Sequence, residues 1–264
     1  MATDADRVIS ALHEGARELD DLVRDLTPDR LTGPSAAAEW DVSQVLSHLG
    51  SGAVIGLAAL DAALDGKPNP GPDANRLVWA VWDAMTPSER AAGYLTANAD
   101  LLARYEGLDA ATRADLRIDL GFLPEPVDVA GAGRFRLNEF TLHSWDVRVV
   151  ADPAATLRAD AVPLLLDVAG FMFGWLAKPA ALGGRDVALA VTLPDVDRTF
   201  GLLLGDGGCS LGEVPQRPDG TLTAPAEAWL RLVAGRLSPD RTPAAVEVTG
   251  DLPLSTLRQV FPGF

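Results

Sequence analysis

Sulfur and lysine are scarce in this chain. Cys209 is its only cysteine, so no intrachain disulfide can form, and a reducing cytoplasm is the simple expectation. It lies between Gly207-Gly208 and Ser210-Leu211 with no histidine nearby in sequence, which argues against a Cys–His nucleophile. Lysine occurs only at Lys67 and Lys178, and 22 basic residues face 37 acidic ones for a formal net charge of -15. Such a field repels nucleic-acid phosphates and anionic membranes, and no basic patch interrupts it, so neither is an expected partner. No run of 18 uncharged apolar residues stands out; residues 162–177 come closest but contain Asp167, and no membrane span is expected. The opening residues, Met1 to Asp6, have neither a basic segment nor an apolar core and do not read as a secretion signal. Apolar residues, in contrast, make up 48% of the 264, enough to build one large domain or two ordinary ones.

The first half reads as helices. Thr3 with Asp6 forms a capping-box pattern, and Ile9, Leu12, Ala16, Leu19, Val23 and Leu26 follow at helical spacing until Thr27-Pro28. Asp41 with Gln44 opens a second helix, whose Gly50 and Gly52 leave room for a neighbouring backbone or a ligand. Residues 65–72 are a Pro- and Gly-rich loop. Leu77 to Trp82 and then Thr86-Pro87-Ser88-Glu89 start a third helical region that ends at Gly107. Residues 116–134 hold too much glycine and proline for a regular element, and a fourth long helix spans roughly Arg134 to Val150. Together these predict a four-helix bundle of about 150 residues.

The character then changes. A helix over Asp160–Ala177 precedes residues with a period of two, Val187, Leu189, Val191 and Leu193, and further strands at 199–204, 209–214 and 245–249. Asp219-Gly220 signals a hairpin, Thr223 can cap a helix over Pro225–Arg236, and a last helix covers Leu254–Phe261. This predicts a small α+β domain.

Only three histidines exist, and two sit in matching apolar settings. Glu139 and His143 are four residues apart and share one helix face; His48 follows the cap of the second helix. Two imidazoles and one carboxylate make a divalent-metal site with open positions for water or substrate. Asp146, three residues beyond His143, suits the task of holding an imidazole N–H. A Glu-x-x-x-His pair by itself is common without a metal, and a histidine on an apolar helix is more often a satisfied core residue; His48, Glu139 and His143 in combination raise the metal reading. His13 lies at the edge of the first stripe and reads as structural.

The segments Trp40-Asp41-Val42 with His48-Leu49, and Arg136-x-x-Glu139-x-x-x-His143-x-Trp145-Asp146, resemble the mycothiol-dependent maleylpyruvate isomerase family, within the wider DinB-like bundle superfamily. The resemblance covers nearly the whole chain. It implies a two-domain α+β protein: a DinB-like metal-binding four-helix bundle over 1–155 and a sterol-carrier-like α+β domain over 156–264. It implies a divalent metal, usually zinc, on His48, Glu139 and His143, and mycothiol as cosubstrate. Trp229 to Arg236 looks like the family's Gly-Arg position and makes Arg236 the candidate catalytic and cofactor-binding arginine; the competing reading is a cation in the last helical turn. The loop 121–133 matches no family motif.

The implied chemistry is thiol activation as a metal-bound thiolate for addition to a small electrophile. Retention of the adduct would make the protein an S-transferase; rotation and expulsion of sulfur would make it a cis–trans isomerase. The transferase, or a generic thiol-dependent enzyme, is the preferred expectation. Alternatives are a metal-dependent biosynthetic enzyme that uses no mycothiol, a small-ligand-binding module, and a metal-stabilised structural protein. The partners expected are a small thiol and an electrophile, in a cytoplasmic monomer or homodimer.

Overall fold

The structure, a computed structural model, describes residues 2–263, apart from the side chains of residues 167 and 171–175. It divides into two compact units, Met1–Ala155 and Thr156–Phe264.

The first unit contains α1 (Asp4–Arg24), α2 (Pro28–Leu31), α3 (Val42–Leu64), α4 (Gly71–Asp83), α5 (Pro87–Glu106), α6 (Ala110–Asp115), β1 (Arg117–Ile118), β2 (Val127–Asp128) and α7 (Val129–Ala151). Three of the long helices begin where local chemistry requires. Thr3 with Asp6, Asp41 with Gln44 and Thr86 with Glu89 each form a reciprocal capping box. Each satisfies two amide donors that the helix cannot, and such a cap contributes about 1 kcal/mol. The four long helices close into a ring: α1 packs on α5 and α7, and α3 packs on the same two. The stripe Val8, Ile9, Leu12, Ala16, Leu19 and Val23 is buried, as its spacing requires.

α3 corrects one expectation. Residues 42–60 carry no formal charge, and the helix is long and apolar enough to cross a membrane, with a mean hydropathy of 1.4 over its best 18-residue window. More than half of that window is buried inside the protein, as in a bundle's central helix that meets neighbours on several sides. The glycines of α3 face side chains rather than a neighbouring backbone. The Trp82 indole from the end of α4 lies against both Gly50, where a Cβ would enter the ring, and Gly93, where it would stand 3.0 Å from it, and the Arg136 guanidinium lies against Gly52.

α7 begins five residues earlier than its spacing predicts. Asp128 is its N-cap and accepts from the Gly131 amide. Gly131 and Gly133 read as breakers, but Gly133 sits where a Cβ would come within 2.7 Å of Val8 Cγ1, so the close approach of α1 and α7 explains it. Just before it, β1 and β2 pair antiparallel, Arg117 with Asp128 and Ile118 with Val127, where no regular element is expected.

The second unit contains α8 (Val162–Leu176), β3 (Val187–Leu193), β4 (Arg198–Gly205), β5 (Gly208–Gly212), β6 (Gly220–Thr223), α9 (Ala226–Val233), β7 (Glu247–Gly250) and α10 (Leu254–Val260). The sheet order is β5-β4-β3-β6-β7. Val187, Leu189, Val191 and Leu193 are all buried, matching the period of two. The Asp219-Gly220 hairpin is not formed: β6 pairs parallel to β3 and antiparallel to β7, and none of its pairings is with β5. Asp219 instead bonds twice to Ala188, donating its amide to the carbonyl and accepting the amide at its carboxylate. Nor does Thr223 cap α9. Pro225 occupies the N-cap and has no side-chain acceptor, so Asp195, in the turn after β3, accepts the Ala226 amide at 2.9 Å.

Candidate metal centre

The side chains of His48, Glu139 and His143 converge. One ligand atom from each lies within 4.8 Å of the other two. Glu139 Oε2 is the common vertex, 3.0 Å from His48 Nε2 and 3.8 Å from His143 Nε2. α7 supplies the carboxylate and one imidazole on a single face, and α3 supplies the other imidazole from across the bundle.

Both faces of the cluster are ordered. His143 Nδ1 lies 2.9 Å from Asp146 Oδ2, and Asp146 has no solvent exposure. A carboxylate at Nδ1 accepts a hydrogen bond from Nδ1–H and so favours the tautomer whose Nε2 lone pair is free on the Glu139 side. The second ordering group is Trp40. Its ring centroid lies 5.2 Å from His48 and 5.7 Å from His143, nearly stacked on the latter, and the two imidazoles stand edge to face at 4.6 Å. The loop carrying Trp40 is tied to α7 because the Ala36 amide donates to the Asp146 carbonyl. Within it, Ser35 Oγ donates to the Trp40 carbonyl, and Glu39 adopts a left-handed φ of 68° just before the indole. A non-glycine residue there is strained and persists only where its surroundings over-determine it.

The donor set suits a divalent cation. Two imidazole nitrogens and one carboxylate oxygen, held on α3 and α7 with Asp146 behind His143, leave coordination positions for an exogenous group. Among the described residues these are the three that could share an ion.

Arg136, three residues before Glu139 on α7, belongs to this region, and the spacing of the motif assigns it no role. Nη2 donates to the Leu49 carbonyl and to Asn98 Oδ1, both at 3.0 Å, while Nε is shut away from solvent without a partner. Burial holds the guanidinium below its ordinary pKa, against the pull of Tyr94, Glu139 and Tyr105. The two phenols are neutral at neutral pH, since burial pushes Tyr105 up to about 12 and Tyr94 well above its usual value. The tertiary contacts of Arg136 and Trp40 leave no periodic signal, which is why spacing alone assigns them no function.

Arg236 belongs to the second unit. It lies beyond the end of α9, after Gly235 at φ 71°, and not in the last helical turn. Its amide donates to the Arg231 carbonyl at 2.7 Å and Nη1 to the Ala234 carbonyl at 3.0 Å. His13 is exposed, 2.6 Å from Glu106 Oε1.

The chain thus combines a helical unit, whose His-Glu-His cluster could hold a metal ion, with an α+β unit. The chain belongs to the mycothiol maleylpyruvate isomerase N-terminal domain family, whose profile matches residues 12–148, more than half its length. Its fold is that of the mycothiol-dependent maleylpyruvate isomerase crystal structure, with a TM-score of 0.66 at 14% identity over 96% of this chain and 98% of that one. A histidine-to-alanine mutant of that enzyme superposes equally well, with the same TM-score, identity and coverage. No curated protein is a detectable sequence relative of the chain.

Proposed function

We propose that His48, Glu139 and His143 hold a divalent metal, zinc in the first instance, and that the protein is a mycothiol-dependent cis–trans isomerase of the maleylpyruvate isomerase type. The observation that carries this reading is the convergence of the three donors on Glu139 Oε2, with Asp146 behind His143. Family membership and the full-length likeness to the isomerase favour isomerisation over the S-transferase preferred from sequence.

A divalent cation held there would supply Lewis acidity, lowering the pKa of a coordinated thiol so that the nucleophilic form is present at neutral pH. The chain's own residues do the rest. Asp146 holds the His143 ring in the tautomer that offers Nε2. Trp40 covers both imidazoles with an apolar face and keeps water from that side of the cluster. Arg236 is assigned to a carboxylate of the thiol or the electrophile, a task its fixed charge suits. Sulfur adds to one carbon of a cis double bond, rotation follows, and expulsion of sulfur returns the thiol and the trans product, with no oxidant consumed. In this reading residues 1–155 form the metal-binding domain and 156–264 the second domain, in a cytoplasmic monomer or homodimer.

Elemental analysis of the purified protein, paired with turnover of maleylpyruvate in the presence of mycothiol, tests the proposal. One divalent ion per chain is expected, with loss of ion and of turnover in both His48→Ala and His143→Ala. Full metal retention in both variants would contradict the ligand assignment. Equal turnover with water or any small thiol in place of mycothiol would favour the metal-dependent enzyme that needs no mycothiol. Accumulation of a stable thioether would favour the S-transferase.

A further inference from the structure

We infer that Arg136 is a positioning residue of this centre: its guanidinium joins α3 to α7 at the level of the ligands and sets the separation across which His48 meets Glu139 and His143. The inference rests on the metal-centre reading of those three residues. Arg136 and Glu139 are three apart and adjacent on the surface of α7. On α3 the acceptor is the carbonyl of Leu49, the residue after His48. Gly52, one turn beyond His48 and on its face, is where the head group rests; a Cβ there would stand 3.2 Å from Nη1. The second acceptor, Asn98 Oδ1, belongs to α5, so one nitrogen ties three helices together beside the cluster. The Phe140 ring, 5.8 Å from the guanidinium carbon, gives the cation an apolar, π-bearing wall.

Packing alone does not account for a charge here. Arg136 lacks a direct carboxylate pair among its hydrogen bonds and leaves Nε unsatisfied. A half-buried charge with one nitrogen shut away unsatisfied gains little stability, and an apolar side chain of similar volume would fill the space at least as well. What an apolar side chain lacks is direction: two charge-assisted hydrogen bonds at fixed angles lock helix register, which close packing of Leu or Met does not.

The test compares Arg136→Met and Arg136→Lys with the unmodified protein by zinc competition against a chelator and by the visible spectrum of the Co²⁺-loaded form. Arg136→Met is expected to weaken zinc binding by about 10–100-fold, the usual effect of losing an outer partner of a metal site. Its Co²⁺ bands should shift while its thermal midpoint is unchanged or raised. Arg136→Lys should recover part of the affinity, since an ammonium keeps the charge but not the two-point geometry. A residue that merely fills space would alter the midpoint and leave the Co²⁺ bands in place, and that result overturns the inference. Should Arg136→Met not fold, Asn98→Ala and Arg136→Lys decide: unchanged affinity and spectrum in both also overturn it. If the unmodified protein takes up no metal, the ligand assignment itself fails, and this inference with it.

Discussion

Cys209 shows how one residue's surroundings narrow the chemistry. Burial raises its thiol to about 12. A cysteine works as a nucleophile only as the thiolate, and a pKa five units above neutrality leaves on the order of one molecule in 10⁵ ionised. The direction is that of a thiol held neutral by desolvation, so ionisation begins only far above physiological pH. Cys209 is therefore a poor nucleophile at neutral pH. We expect Cys209 in the native protein to alkylate with iodoacetamide at neutral pH far more slowly than in denaturant, and Cys209→Ser to keep full thiol-dependent turnover. Rapid native labelling together with inactivation by Cys209→Ser would falsify this. The metal-ligand candidates had the opposite visibility. His48, Glu139 and His143 stood out because histidine is rare here and the i,i+4 spacing is a local geometric fact. Arg136 and Trp40 act through partners on other elements, Leu49 and Asn98 for one and both imidazoles for the other, and spacing along the chain carries no record of such contacts.

At the scale of elements, what could be read from the chain was whatever is decided within a few residues. The capping boxes at Thr3, Asp41 and Thr86 are local competitions between side chain and backbone, and all three form. The glycine at 133 inside α7, the cap of α9 and the partner of β6 are decided by distant groups. Val8 requires Gly133, Asp195 caps Ala226 from 31 residues away, and β6 joins β3 in parallel. The glycines of α3 offer a direct test of this difference. Gly56 and Gly50 are both helical, so replacement by alanine gains up to about 1 kcal/mol of propensity at either. At Gly56 the new methyl would lie 3.6 Å from Leu101 Cδ2, an ordinary contact, and Gly56→Ala should stabilise the protein. At Gly50 it would enter the Trp82 ring, which Gly93 confines from the other side. Overpacking costs about 1–3 kcal/mol, so Gly50→Ala should be destabilising on balance. For a chain of this size each kcal/mol moves the midpoint by roughly 2–4 °C, which thermal melts resolve. A raised midpoint for Gly50→Ala would mean that the indole is not held where the structure puts it.

For the molecule as a whole, the governing quantity is the net charge of -15. A carboxylate-bearing electrophile approaches against that field, and only a local cation can reverse it at short range. The family resemblance implies that local role for Arg236, whose charge is fixed at any working pH. The two effects respond differently to salt. Long-range repulsion between the acidic surface and an anionic substrate fades once the screening length falls to about 8 Å, near physiological ionic strength. KM for an anionic electrophile should therefore fall as salt rises from about 0.01 to 0.15 M, with kcat little changed. Arg236→Ala should raise KM roughly tenfold or more at low salt, the size of a lost charge-assisted hydrogen bond, and by a smaller factor at high salt, where the attraction it removes is already screened. Steady-state kinetics of both proteins across that range separate the terms. A KM that climbs with salt in the unmodified protein would show that local attraction outweighs the acidic surface. An Arg236→Ala variant with unchanged KM at every salt concentration would remove Arg236 from substrate binding and leave the anion to be held by other groups.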